Sequence, residues 1–176
     1  MTHVETLMRQ LAEQFRHLMN HASLYEVMLN HGRAMSIEPL AYSEARQIAE
    51  LTRRAGFSNV NAFRIKECYM NAQKLIAQHD SMKDGDKIEY CEGYVAWDDG
   101  PIAADHAWIT INGKVVDVTL RAADKQRKNS YYGIAISLKL LLRHQLKTRY
   151  YSPVFEGPFQ LQVFPGLDKC MHTVRT

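Results

Sequence analysis

The chain has 176 residues, 46% hydrophobic and 23% charged, the make-up of a single globular domain with a sizeable core. Its 22 Lys and Arg against 19 Asp and Glu leave a net charge of +3 with His neutral, too mild to signal nucleic acid. No window approaches the roughly 18 apolar residues of a membrane span, Glu5 and Glu13 break up any signal-like N-terminus, and Cys68, Cys91 and Cys170 have neither disulfide-framework nor zinc spacing. These features predict a cytoplasmic protein with reduced thiols and no membrane, metal or cofactor.

In chain order, residues 3–31 read as one helical segment, with Val4, Leu7, Met8, Leu11, Phe15 and Leu18 recurring at three- and four-residue intervals up to Gly32. This segment is an amphipathic helix or helix pair packed on the domain, or an arm for a partner or an oligomer. A second helix is predicted over 42–55, with Ser43 as N-cap and Gly56 after its end. A third covers 65–79 with Cys68 near its start. After a polar turn at 80–87, strands are predicted at 88–97, 106–112 and 114–120. Residues 121–130 read as a charged loop, 133–147 as a helix and 159–164 as a late alternating strand. The fold class is α+β in a single domain, 1–176: a helical part at 1–62, a core at 63–120, and a helix, strand and tail at 121–176.

Three residues in this order carry the chemistry: Cys68, His106 and Asp117. A thiol at a helix start sits where backbone N–H groups and the helix dipole favour an anion. Asn112-Gly113 is a strong two-residue hairpin signal. It pairs Ile111 with Lys114, Thr110 with Val115 and His106 with Thr119, and so sets Asp117 opposite Trp108 and diagonal to His106 on one face. An acid on an otherwise apolar strand then has a partner. A thiol, an imidazole and a carboxylate in series can make a thiolate, orient its base and fix the tautomer of that base.

The runs Cys68-Tyr69-Met70-Asn71-Ala72, Glu92-Gly93-Tyr94, His106-Ala107-Trp108 and Val116-Asp117-Val118-Thr119 occur in the order found in the transglutaminase-like cysteine superfamily, which in a broad sense includes papain-like enzymes. The resemblance covers roughly residues 65–120. It implies a catalytic helix packed on an antiparallel sheet, with Cys68 as nucleophile, His106 as base and Asp117 as orienting acid. Where family members often have Pro after the Asp, this chain has Val118, and no papain-like oxyanion Gln maps onto it.

The candidate substrate-binding residues are Tyr69, Glu92, Tyr94, Trp108 and Tyr132. Glu92 reads as a substrate-binding acid or a solvated strand residue, and Trp108 as a cleft wall or a packing residue. Tyr131-Tyr132-Gly133 precedes the fourth helix as a cleft wall, an oxyanion phenol or packing. Gly93 allows close backbone approach, by substrate or by the Cys68 helix, and Cys91 is structural. The expected function is a cysteine protease, amidase or transglutaminase-like enzyme acting on a peptide, isopeptide or side-chain amide through a thioester. The alternative is an inactive scaffold that binds proteins, with the long N-terminal helices and the basic C-terminal half, including Arg143, Lys147 and Arg149, as its surfaces.

Overall fold

The computed structural model describes residues 1–18, 23–59, 62–64, 66–79, 87–97, 100–123 and 129–155. In chain order its elements are α1 (His3–Leu18), α2 (Leu24–His31), β1 (Arg33–Met35), α3 (Tyr42–Arg54), α4 (Cys68–Ile76), β2 (Ile88–Trp97), β3 (Ala104–Ile111), β4 (Lys114–Val116), α5 (Val118–Ala123), β5 (Asn129–Ile136) and α6 (Leu138–Thr148). The five strands form an antiparallel half-barrel in the order β1-β5-β2-β3-β4. The class is α+β, as expected.

The β3–β4 hairpin follows from its turn. Asn112 and Gly113 take φ of 50° and 85°, the positive pair that a two-residue type I′ turn requires. The register pairs Ile111 with Lys114 and Thr110 with Val115, as predicted. β4 ends at Val116, however, so the strand expected over 114–120 is cut short and Thr119 lies in α5 rather than opposite His106.

Both faces of the sheet are buried. Tyr90, Tyr94, Ala107, Ile109, Ile111, Tyr132 and Ile136 pack with Val4 and Met8 of α1, Val27 and Met28 of α2, and Leu75 and Ile76 of α4. The opposite face gathers Met35, Cys91, Val95, Trp108, Val115 and Tyr131 in a smaller cluster. The expected helical segment at 3–31 is two helices, the second capped by Ser23, whose Oγ accepts from Glu26 N–H at 3.3 Å. Both lie on the sheet: Val4 N–H donates to Ser130 Oγ at 3.0 Å, and Tyr132 O–H donates to the carbonyls of Leu29 and Gly32, each at 3.1 Å.

Other boundaries differ from the sequence reading. α3 is capped at Ala41, whose N–H donates to Glu44 Oε2 at 2.7 Å, rather than at Ser43. The expected charged loop holds α5 at one end and the start of β5 at the other. Residues 129–136 form β5 where the helix was expected to begin at 133, because that helix starts only after Ser137, whose Oγ accepts from Leu140 N–H at 3.3 Å. Gly93 does allow a close approach, but by β5. Gly93 pairs with Gly133, and a Cβ on either would fall 2.2 Å from Tyr132 O or 2.4 Å from Glu92 O. The polar turn at 80–86 and the late strand at 159–164 lie outside the described residues.

Candidate active site

The chain turns sharply into α4. Lys66 adopts a left-handed φ of 69°, Glu67 is the N-cap without a side-chain capping bond, and Cys68 is the first helical residue. The first helical hydrogen bond is Asn71 N–H to Glu67 O at 2.8 Å. The thiol therefore stands at the positive end of the helix dipole, among first-turn N–H groups that have no intrahelical acceptor.

His106 comes from the half of β3 that β4 does not reach. Pairing between those strands stops at Ile109 with Val116, and α4 packs against β3. Asp117 is the residue between β4 and α5, and it serves two elements at once. Its Oδ1 accepts from the N–H groups of Thr119 and Leu120, both at 2.9 Å, the pattern of a helix N-cap. Its Oδ2 accepts from His106 Nε2 at 2.6 Å and from Tyr131 O–H at 2.8 Å. All four bonds favour the charged carboxylate in a buried place.

The Cys68 thiol interacts with the same imidazole and helps to raise its pKa. Asp117 engages Nε2, which leaves Nδ1 as the ring nitrogen for a second partner. Cys68 is half-buried, whereas Cys91 is buried. Asn71 ties the helix to this arrangement. Its buried Nδ2 donates to Thr119 Oγ1 at 2.9 Å and to Arg64 O at 2.7 Å, linking the start of α4 to the start of α5.

Burial pulls the His106 imidazole down, but the hydrogen bond and charge of Asp117, followed by those of Cys68, reverse this and raise it to about 10. Burial pushes the Asp117 carboxyl up, and the hydrogen bond and charge of His106, with Leu120 N–H and Tyr131 O–H, hold it below the ordinary carboxylate value. Burial and the Asp117 charge push the Tyr131 phenol well up, so it stays a neutral donor. The Cys91 thiol, fully buried, is pushed up to about 12, mainly by desolvation. Burial thus makes Cys91 a poor nucleophile, while Cys68 interacts with an imidazole of raised pKa.

Among the proposed substrate-binding residues, Tyr69 is part-exposed beside the pair, its O–H donating to Asp105 Oδ2 at 3.2 Å. Trp108 shares the face of His106, as its alternation predicts, but it is fully buried. It lies parallel to the His106 ring at 6.3 Å, edge-on to Tyr131 at 5.1 Å, and donates Nε1–H to Met35 Sδ at 3.3 Å. It packs rather than lining a cleft. Tyr94 and Tyr132 lie in the helix-facing core. Glu92 is neither solvated nor open to a ligand. It is fully buried and accepts from Tyr90 O–H at 2.6 Å, Val154 N–H at 2.8 Å and Phe155 N–H at 3.0 Å, fastening the segment after α6 to the sheet. Glu92 falls there because β2 is covered on both faces, so neither side of the strand meets water.

Tyr131, read from the sequence as a cleft wall, an oxyanion phenol or packing, instead donates to the Asp117 carboxylate. Its signal was the alternation of Tyr131, Gly133 and Ala135 with Tyr132, Ile134 and Ile136, which a strand over 129–136 turns into two faces. A cleft of about 290 Å³ opens against the first turn of α4, lined by Lys66, Glu67, Tyr69 and Met70 on one side and by Tyr150–Pro153 on the other.

Comparisons with protein-family models, with curated proteins and with solved structures give no match to this chain.

Proposed function

We propose that the chain is a cysteine-nucleophile hydrolase or acyltransferase acting on a peptide, isopeptide or side-chain amide through a thioester, with a transglutaminase-like or papain-like catalytic core. The observation that carries this reading is the buried His106 imidazole bonded to a fully satisfied Asp117 carboxylate, with the Cys68 thiol, at a helix start, interacting with the same imidazole. In the proposed reaction the Cys68 proton passes to His106 Nδ1 and the sulfur attacks the amide carbonyl carbon. His106 then gives that proton to the leaving nitrogen as the C–N bond breaks. A water or a second amine, deprotonated by His106, attacks the thioester and releases the thiol. In this reading the N–H of Cys68 and of a neighbouring first-turn residue are the default donors to the oxyanion.

The test is selective thiol chemistry. Near neutral pH, iodoacetamide should alkylate Cys68 at least about tenfold faster than Cys91, followed by peptide mass mapping, and Cys68→Ala should abolish amide or ester turnover on a substrate panel. Equal labelling of both cysteines, or turnover that survives Cys68→Ala, would refute the reading and leave a non-catalytic scaffold.

A further inference from the structure

Charge is segregated along this chain. Residues 125–155 contain seven Lys or Arg and no Asp or Glu, so the remainder nets −4 while the whole chain is only +3. Within that stretch α6 presents two adjacent stripes. Leu138, Leu142 and Leu146, spaced four apart, share one line on the helix, and Leu142 and Leu146 are 44% and 79% exposed. One residue on, Lys139, Arg143 and Lys147 form a parallel exposed basic line. Leu141 and His144 supply the buried side of the helix, so the leucine stripe is not needed for packing α6 onto the domain.

The stripe does not end with the helix. Arg149 caps α6 with a left-handed φ of 55° and turns the chain into Tyr150, which is 73% exposed, and Tyr151. Both tyrosines line the cleft against Lys66, Glu67, Tyr69 and Met70, the turn that carries Cys68. That wall is built to stay in place. Gln73 donates to Ser152 O at 3.0 Å, His144 bonds Ser152 Oγ at 2.8 Å, and Glu92 holds Val154 and Phe155.

We infer that the α6 stripe and the Tyr150–Tyr151 cleft form one docking track for an acidic, amphipathic segment of a protein substrate, a reading that rests on the thiol chemistry proposed above. Apolar side chains of the segment cover Leu138, Leu142 and Leu146, its carboxylates meet the basic line, and its continuation enters the cleft beside Cys68. Exposed apolar patches rimmed by one sign of charge mark interaction surfaces, and the charge selects the partner. The leucines, which offer nothing to a nucleobase, favour a polypeptide over a nucleic acid.

The test selects random peptides from a display library on the full chain and measures their binding by fluorescence polarisation, with phosphatidylserine vesicles and a poly(dT) oligonucleotide as parallel probes. The expected peptides combine apolar residues at three- or four-residue spacing with Asp or Glu. They should bind about tenfold or more weakly to Leu142→Glu/Leu146→Glu and lose affinity as salt rises. The Cys68 alkylation rate, measured on the same double variant, should stay within about twofold of the parent, because both leucines are solvent-exposed. Neutral or basic binders, equal binding by the double variant, no binders, or capture of vesicles or oligonucleotide alone would overturn the proposal. If acidic peptides bind the stripe while Cys68 proves unreactive, the docking track stands and the thiol reading falls.

Discussion

Replacing Asp117 by Asn tests the coupling at the centre of the site. An Asn at this position keeps an oxygen for the N–H groups of Thr119 and Leu120, so the α5 cap survives. Its NH2 then faces Tyr131 O–H and His106, where a carboxylate accepted from both. The imidazole must now present Nε2 as an acceptor and carry its proton on Nδ1, toward the sulfur, where it can no longer take a proton from the thiol. The loss can be sized. His106 titrates at about 10 in the folded chain, so at pH 7 its proton is held by about three decades, or about 4 kcal/mol at roughly 1.4 kcal/mol per decade. Asp117 supplies the two largest raising contributions, and without it the lowering by burial is opposed only by Cys68. Iodoacetamide alkylation of Cys68 in Asp117→Asn should therefore fall by about 100-fold or more at pH 6.5 and approach the parent rate above about pH 9, where an isolated thiol ionises by itself. Intact-mass kinetics across that range give the profile, and near-ultraviolet circular dichroism confirms that the variant is folded. A folded variant with the parent rate at pH 6.5, or with one constant deficit at every pH, would refute the coupling.

Four further outcomes follow from the same geometry. Tyr131→Phe keeps the ring against Trp108 but removes one donor to Asp117. The acid edge of Cys68 alkylation should move to higher pH and stability should drop by about 1–2 kcal/mol, and an unmoved edge would argue against the bond. His106 is raised in the folded state, so its contribution to stability is complete below its ordinary 6.5 and is lost as pH rises to about 10. Urea unfolding of the parent should therefore weaken across that window while His106→Asn shows a flatter profile, and parallel profiles would contradict the assignment. Glu92→Gln cannot satisfy Tyr90, Val154 and Phe155 together; it should cost about 2–4 kcal/mol and speed amide hydrogen exchange at Val154 and Phe155, whereas unchanged exchange would show that Glu92 is not the fastening. Gly133→Ala drives a Cβ to 2.4 Å from Glu92 O and 2.6 Å from the Trp108 ring, and should cost more than about 3 kcal/mol by thermal melting. Gly100→Ala, whose nearest neighbours lie at 3.4 Å, should fall within about 1 kcal/mol, and equal costs would undo the packing argument.

The residues most legible in the sequence were those whose placement depends on local rules. Asn112-Gly113 has one favoured conformation between two strands, so it set the register that brings His106 and Asp117 to the same side. Cys68 was readable because the apolar spacing of Ala72, Leu75 and Ile76 defines a helix whose start lies just before them. Val118-Thr119-Leu120 misled because two β-branched residues favour a strand. Asp117 instead caps a helix there, giving Thr119 and Leu120 an acceptor that a strand would not need. β5 was hidden by the leucine-rich run that follows it, since Ile134 and Ile136 fit a helical period as well as an alternating one until Ser137 marks the cap. β1 has three residues and is held by pairing with β5, a long-range contact with no local signal. Glu92 needed knowledge of the segment at Val154 and Phe155, 62 and 63 residues away, before its burial made sense.

The division between local and distant contacts also explains how the site is assembled. His106 and Asp117 lie 11 residues apart and are joined by one tight hairpin, so the imidazole and the carboxylate form a unit as soon as β3 and β4 pair. The cap that Asp117 places on α5 fixes the carboxylate from the other side, because turning it away from His106 would break two backbone hydrogen bonds. The thiol must be brought to that unit from a different part of the chain, and the contact that does so is polar and buried. Asn71, three residues after Cys68, donates to Thr119 within the first turn of the helix that Asp117 caps. Sulfur and imidazole are therefore positioned through one short frame, running from the start of α4 across Asn71 and Thr119 to Asp117 and back to His106. A hydrophobic contact at the same place would hold α4 against the sheet but leave it free to slide along its axis, whereas a directed hydrogen bond between two buried side chains fixes the register of the helix start. The approach of the thiol to His106 depends on that register, and this gives a physical reason for a fully buried Asn in α4.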